Sequence, residues 1–218
     1  MGDNMNFNIF FKYKKNDIIF NNINIELVEN KLTVICGHNG AGKTTLLKVI
    51  SGILPSGIQE PQGWYVAANG GLIQHFSLKE HLMLVDKNAL DNKLVKKAYE
   101  YFNAESFENK KINKLSTGQV MMASIIVSIA SNQKLILLDE PFGSLDPVNA
   151  ENLSKLLREL TENDRTVVIT AHDLYLTQET ADIIYFIKDG KISWDSRKEM
   201  EDLSCSVEDL KEIYKKYA

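Results

Sequence analysis

A glycine-rich loop between a strand pattern and a helix pattern constrains this 218-residue chain more than any other feature. Residues 31–36 form a short apolar run typical of a buried strand, and residues 44–51 carry leucine and isoleucine at helical spacing. Glycines let the backbone curl so that successive N–H groups face inward, and the following helix adds its positive N-terminal end. The loop is therefore predicted to hold an anion. Its residues are Gly37, His38, Asn39, Gly40, Ala41, Gly42, Lys43 and Thr44.

The spacing of the loop indicates which anion it holds. A glycine, four residues and then Gly-Lys-Thr is the pattern that cradles the phosphates of a nucleotide. We expect Lys43 to reach the β- and γ-phosphates as a point charge, and the Thr44 hydroxyl to bind Mg²⁺. With Thr45, which follows the loop, these residues form the predicted nucleotide-binding set, and ATP and Mg²⁺ are the predicted cofactors.

Two adjacent acids follow a second buried-strand pattern. The apolar residues 135–138 deliver Asp139 and Glu140 to one end of a sheet, which is where doubly wound folds bind ligands. We expect Asp139 to hold Mg²⁺ through water and Glu140 to polarise the water that attacks the γ-phosphate. Asp139 would thus bind the metal, and Glu140 would act as the general base.

Strand and helix patterns alternate around the glycine loop and again from residue 134 to residue 187, which predicts a parallel sheet covered by helices. Residues 74–132 contain no strand pattern. A capping box at Ser77 opens one helix there, Asp91 can cap a second that ends near residue 102, and Ser116 begins a third that ends near residue 130. Short β-type runs precede the loop at residues 6–11, 18–20 and 23–27, and residues 207–217 predict a closing helix.

Composition excludes several functional classes. The chain has 25 Lys+Arg and 29 Asp+Glu, a formal charge of −4, and no basic block long enough to track a nucleic-acid backbone. We therefore expect no nucleic-acid partner. No apolar run approaches the ~20 residues that span a bilayer, and the N-terminus lacks a secretory pattern, so we expect the chain to reside in the cytosol. Cys36 and Cys205 are expected to be free thiols.

A third motif indicates a family. Leu115-Ser116-Thr117-Gly118-Gln119, with the glycine loop upstream and the acid pair downstream, resembles the LSGGQ signature of ATP-binding cassette (ABC) proteins. The resemblance implies an α/β fold with a RecA-like P-loop NTPase core, an N-terminal antiparallel β-subdomain and an inserted helical subdomain. It assigns residues 1–73 to the β-subdomain and the first part of the ATP-binding core, residues 74–132 to the helical insert that ends in the signature helix, and residues 133–218 to the second part of the core.

The same resemblance assigns further site residues. Ser144-Leu145-Asp146 matches the D-loop, His172 matches the catalytic switch histidine, and Tyr13 matches the aromatic residue that stacks on adenine. The glutamine of the family's Q-loop falls on Asn69 or on Ala68; Asn69 carries the same carbonyl on a shorter stem and is the predicted Mg²⁺ contact. Thr117 replaces a glycine of the signature, and we expect a working site because threonine is acceptable in a first helical turn.

The resemblance also implies a mode of action. Each ATP would lie between the glycine loop of one cassette and Ser116, Thr117, Gly118 and Gln119 of another, in a head-to-tail dimer with a second copy or a related cassette. The leading hypothesis is the ATP-hydrolysing subunit of an ABC transporter, peripheral on the cytoplasmic membrane face and driving a separate permease, with an exporter type favoured. The alternative is a cytosolic, non-transport ABC ATPase in assembly or regulation, similar to the iron–sulfur assembly ATPases.

Overall fold

The computed structural model describes residues 4–14, 17–55, 63–199 and 206–218. Two long strands, β1 (Asn4–Lys14) and β2 (Asp17–Val28), pair antiparallel in a sheet of their own. Alternate residues of β1 are buried, as expected for a ribbon with one solvated face. The predicted runs at 18–20 and 23–27 are one strand, because β2 continues through a bulge in which Asn22 adopts a φ of 56°.

Within the described residues the main sheet has six strands, in the order β4-β5-β6-β3-β7-β8. All neighbours pair parallel except β7 and β8, which form an antiparallel hairpin. The strands β3, β5, β6 and the first five residues of β7 are buried throughout, as expected for a sheet covered on both faces. Their bounds are β3 (Leu32–Cys36), β4 (Trp64–Val66), β5 (Leu135–Leu138), β6 (Thr166–Ala171), β7 (Ile183–Lys188) and β8 (Lys191–Asp195).

Eight α-helices are present in the described part of the chain. On one sheet face α1 packs with the buried side chains of β1 and β2, and on the other lies a cluster that includes α4, α5 and the closing helix. The α/β fold class predicted from the sequence is confirmed. The helices are α1 (Lys43–Ile50), α2 (Leu78–Val85), α3 (Lys93–Phe102), α4 (Thr117–Ala130), α5 (Pro147–Glu162), α6 (Leu174–Thr180), α7 (Ser196–Glu199) and α8 (Val207–Tyr217).

Residues 74–132 contain α2, α3 and α4, and no strand beyond an isolated bridge between Ser77 and Lys111. The subdomain boundaries themselves stay a prediction. One predicted cap was wrong: Asn92, not Asp91, caps α3 and accepts hydrogen bonds from the backbone of Leu94 and Val95. Asp91 instead ends a short 3₁₀ turn, so the true cap lies one residue later.

Two further expectations concern thiols and membranes. Cys36 is a free, buried cysteine, and burial raises the pKa of its thiol to about 11. Cys205 lies outside the described residues. Among the described helices, none has the length and apolar character that crossing a bilayer requires.

Candidate nucleotide-binding site

The glycine loop leaves the carboxyl end of β3 and enters α1, as the sequence predicts. A Cβ on Gly37 would lie 2.4 Å from the carbonyl oxygen of Ile187, so only glycine fits beside β7. Gly40 and Gly42 have φ values of 85° and 106°, in the left-handed region that glycine occupies without strain. Gly42 is the N-cap of α1, which places the free N–H groups of this helix at the loop.

Lys43 lies inside the loop that precedes it. The residue is 6% exposed, and its Nζ donates to the carbonyl oxygens of Gly37 at 2.8 Å and His38 at 3.2 Å. Burial lowers the pKa of Lys43, and the nearby charge of Glu140 opposes that shift. Because an ammonium group has three donors, one N–H beyond these two bonds can face a phosphate oxygen.

Asp139 follows β5 and is 3% exposed. Its Oδ1 accepts a hydrogen bond from the Thr170 hydroxyl at 2.7 Å, while its Oδ2 accepts from Thr44 at 2.8 Å and from the Tyr65 hydroxyl at 3.1 Å. Three O–H donors on α1, β4 and β6 therefore stabilise one buried carboxylate, which satisfies its need for polar partners. The sequence alone does not predict Tyr65 and Thr170 as partners of Asp139, since neither belongs to a contiguous motif.

Glu140 lies beside Asp139 but faces outward, with 40% of its side chain exposed. Its φ of 50° is unusual for a residue with a Cβ, and its backbone N–H donates to the Thr170 hydroxyl at 2.8 Å. Its Oε1 lies 2.7 Å from Nε2 of His172, which follows β6. A carboxylate can only accept, so Nε2 carries the hydrogen of this bond. The geometry leaves Glu140 open to take a proton from a water.

The predicted signature residues lie at the start of α4. The Ser116 hydroxyl accepts from the Gln119 backbone at 3.2 Å and the Gln119 side chain accepts from the Ser116 backbone at 3.1 Å, a complete capping box. The N–H groups of Thr117 and Gly118 precede the first helical bond, from Val120 to Ser116, and remain available to an anion. Ser116 and Thr117 are exposed.

The D-loop lies directly against this helix start. A Cβ on Gly118 would lie 2.8 Å from the carbonyl oxygen of Ser144, so the glycine permits close contact between the two motifs. Asp146 is the N-cap of α5, and its carboxylate accepts from the backbone of Asn149 at 3.0 Å. The cap residue is thus held rigidly at the surface beside the signature.

The remaining predicted residues are Tyr13, His38 and Asn69. The Tyr13 ring is half exposed, packs edge-on against Phe11, and its hydroxyl lies 3.2 Å from that of Thr45. The His38 ring is half exposed and lies 3.9 Å from Asp189 of the β7–β8 turn. Asn69 is exposed, in a turn closed by a hydrogen bond from the Gly70 N–H to the Ala67 carbonyl oxygen. No described hydrogen bond joins Asn69 to Thr44 or Asp139, and its metal contact stays a prediction.

The donor set suits Mg²⁺, a hard cation that takes oxygen ligands. The Thr44 hydroxyl and the Asp139 carboxylate would hold it, together with phosphate oxygens and water. Among the described residues no group of three or more His, Cys, Asp and Glu side chains lies close enough together to hold a metal ion. When bound, Mg²⁺ would neutralise charge that develops on the phosphates.

The loop, its buried lysine and the acid pair at parallel strand ends define a P-loop nucleotide-binding protein. A family model described as ABC transporter matches residues 20–143, which is more than half of the chain. The energy-coupling factor transporter ATP-binding protein EcfA of Methanocaldococcus jannaschii is 30% identical over 214 residues, covering 84% of this chain and 75% of the relative. The chain therefore belongs to the ABC transporter family, as an ATPase cassette.

Two further similarities concern an export protein and a solved cassette structure. The cytochrome c biogenesis ATP-binding export protein CcmA of Reclinomonas americana is 34% identical over 191 residues, covering 77% of this chain and 84% of the relative. A solved structure described as a dimeric bacterial ABC transporter cassette superposes with a TM-score of 0.75 at 24% identity, covering 94% of this chain and all of that one. The core thus has the P-loop NTPase fold predicted from the sequence.

Proposed function

We propose that this cassette binds Mg-ATP between two copies, or between itself and a related cassette, in a head-to-tail dimer that drives a membrane permease. The observation that carries the proposal is the presence of two anion sites on one chain. One is the glycine loop with Lys43, and the other is the start of α4 at Ser116. Each combines free N–H groups with the positive end of a helix.

The sheet order keeps these two sites apart. The loop leaves β3, whereas α4 contacts β4 and β5. Two strands, β5 and β6, lie between β3 and β4, and three strand spacings amount to roughly 14 Å. One triphosphate is too short to engage both sites across one sheet and still bind within the loop. Two cassettes in opposite orientations place the loop of one against the α4 terminus of the other.

Hydrolysis would then be the work of Glu140, with His172 holding its carboxylate from the neighbouring strand end. The negative γ-phosphate would bind both cassettes and so favour the closed dimer. Its cleavage would remove the interaction that stabilises the closed dimer over separate cassettes. The dimeric arrangement of the similar cassette supports this proposal.

The helical insert supplies the surface for the permease. Four large apolar side chains are exposed in the first part of this insert and directly before it; they are Ile73, Met83, Leu84 and Leu90. Exposed large apolar side chains concentrated in one segment are a feature of protein-contact surfaces. A permease helix is the partner that we assign to them, at the cytoplasmic membrane face. We favour an exporter type because of the similarity to the export protein CcmA.

The dimer is tested by light scattering of Glu140→Gln protein with Mg-ATP. A stable dimer that needs ATP supports the proposal, and monomers at saturating ATP contradict it. In that background, Ser116→Arg should abolish the dimer yet bind ATP as a monomer. Gln133→Arg, on the exposed residue before β5 at the opposite sheet end, is the matched control and should dimerise. Lys43→Ala should bind no ATP, because the phosphates lose their main cation.

The permease is tested by purifying tagged Glu140→Gln protein from native membranes in ATP and identifying partners by mass spectrometry. A multi-span membrane protein is expected. Replacing Met83 and Leu84 with glutamate should lose that partner but retain the dimer, whereas Ile53→Glu, on an exposed residue after α1, should retain both. A cassette that fractionates without any integral membrane protein would support the non-transport alternative.

A further inference from the structure

Tyr65 occupies a position in the site that no motif assigns. It lies on β4, the edge strand of the main sheet, and is 74 residues from Asp139 in sequence. Its hydroxyl donates to Asp139 Oδ2 at 3.1 Å. The backbone N–H of Asp139 also donates to the carbonyl oxygen of Val66, at 2.9 Å. Strand β4 thus contacts Asp139 through both its main chain and a side chain.

The bond from Tyr65 differs from the other two bonds to this carboxylate. Thr44 is itself the predicted ligand of Mg²⁺, and Thr170 also accepts the backbone N–H of Glu140. The Tyr65 and Thr44 hydroxyls both donate to Oδ2. Tyr65 is a neutral donor on β4, which lies on the side of β5 away from β6 and β3.

We propose that Tyr65 is a positioning residue for magnesium: its hydroxyl fixes the Asp139 carboxylate in the orientation that lets Asp139 and Thr44 serve one cation. This inference rests on the proposed function, since it concerns the Mg-ATP site. Partners that orient metal-binding groups commonly change metal affinity by 10–100-fold when removed. Tyr65 should therefore act on the Mg²⁺ dependence of nucleotide binding and leave Mg²⁺-free binding unaltered.

The test compares Glu140→Gln protein with the Glu140→Gln, Tyr65→Phe double variant, using fluorescence of mant-ATP and no turnover. Phenylalanine keeps the ring and removes only the donor. In EDTA the two proteins should bind mant-ATP with equal affinity. With Mg²⁺ titrated at constant mant-ATP, half-saturation should require roughly tenfold more Mg²⁺ in the Tyr65→Phe protein. The matched control is Tyr101→Phe, which removes a hydrogen bond from Tyr101 on α3 to the Glu159 carboxylate on α5 and should shift neither the Mg²⁺-free affinity nor the Mg²⁺ requirement.

Three results would overturn the inference: an unchanged Mg²⁺ requirement, a lower one, or an equal loss of Mg²⁺-free binding, which would indicate a loosened site. A thermodynamic cycle with Asp139→Asn adds a check that does not depend on absolute stability. If Tyr65 acts through Asp139, Tyr65→Phe should add no further shift in the Asp139→Asn background, and additive shifts would contradict it. Failure of Glu140→Gln itself to bind Mg-ATP would count against the proposed function instead.

Discussion

His172 and Glu140 are joined side chain to side chain, with Nε2 and Oε1 2.7 Å apart at the ends of adjacent strands. Both side chains are about 40% exposed, so the pair faces the open side of the site. The hydrogen bond from Nε2 restricts the rotation of the Glu140 carboxylate. In the proposed function, in which Glu140 is the general base, His172 would keep that carboxylate aimed at a water beside the γ-phosphate.

Glu140→Gln should lower ATP turnover by roughly 10²–10⁴, the ordinary contribution of a positioned general base. Glutamine preserves size and hydrogen bonding but cannot take a proton, so ATP affinity should be unchanged. Steady-state phosphate release and mant-ATP binding measure the two quantities. Glu162→Gln, on an exposed residue at the end of α5, is the control. Turnover equal to wild type would remove Glu140 from this role.

His172→Ala should reduce turnover by roughly 10²-fold, the cost of a misplaced reacting group, with little effect on ATP affinity. His172→Gln, which retains a donor, should restore part of the loss. His75→Ala alters an exposed histidine before α2 and should leave hydrolysis as it is. If the His172→Ala protein hydrolyses ATP at the wild-type rate, the histidine is structural.

Gly118→Ala should destabilise the protein, although alanine is the better helix former by about 1 kcal/mol. The added Cβ would lie 2.8 Å from the Ser144 carbonyl oxygen. Because that oxygen belongs to the main chain, the contact can be relieved only if the D-loop backbone shifts. Overpacking of this kind costs about 1–3 kcal/mol, measured as the free energy of unfolding in urea. Thr117→Ala, at the neighbouring exposed residue, is the comparison. It should leave the free energy of unfolding unchanged or raise it slightly. A stabilised Gly118→Ala protein would show that the two motifs separate easily.

The ionisation of Glu80 should make the stability of the folded protein depend on pH. Its carboxylate accepts from Lys111 Nζ at 2.8 and 2.9 Å and from the Ser77 backbone, and these bonds lower its pKa to about 2. A lowered pKa in the folded state contributes stability above the ordinary value of 4.5, and that stability is lost as the pH falls towards 2. The urea midpoints of wild type and Glu80→Gln should therefore differ at pH 6 and converge near pH 2.

The control for this titration is Glu105→Gln, at an exposed residue of a 3₁₀ turn in the same helical insert. The urea midpoints of Glu105→Gln and wild type should differ little at every pH. A Glu80→Gln difference that stays constant from pH 6 to pH 2 would show that the bonds to Lys111 and Ser77 do not depend on ionisation.

The sequence was most informative where the determinants are local. The glycine loop is contiguous, and Ser116 with Gln119 carries its capping signal within four residues, so both could be placed without tertiary information. Helix α6 was missed because it is seven residues long, contains two threonines and offers little helical periodicity. Its cap, Asp173, gives the one local signal, through bonds to the backbone of Tyr175 and Leu176.

The partners of Asp139 could not be predicted for a different reason. Tyr65 and Thr170 are 74 and 31 residues away, and they meet Asp139 only after β4 and β6 have paired on either side of β5. A tyrosine or threonine in an apolar strand gives no sign of this contact, because both residue types are common in strands for reasons of packing alone. The arrangement of the sheet decides which hydroxyl reaches the acid.

Strand β4 pairs on one side only and is three residues long, which makes it the least anchored part of the main sheet. Yet it contacts both the main chain and the carboxylate of Asp139, and it leads directly into the turn with Asn69. A displacement of that turn would therefore be transmitted to Asp139, the acid proposed to bind Mg²⁺, through β4 alone.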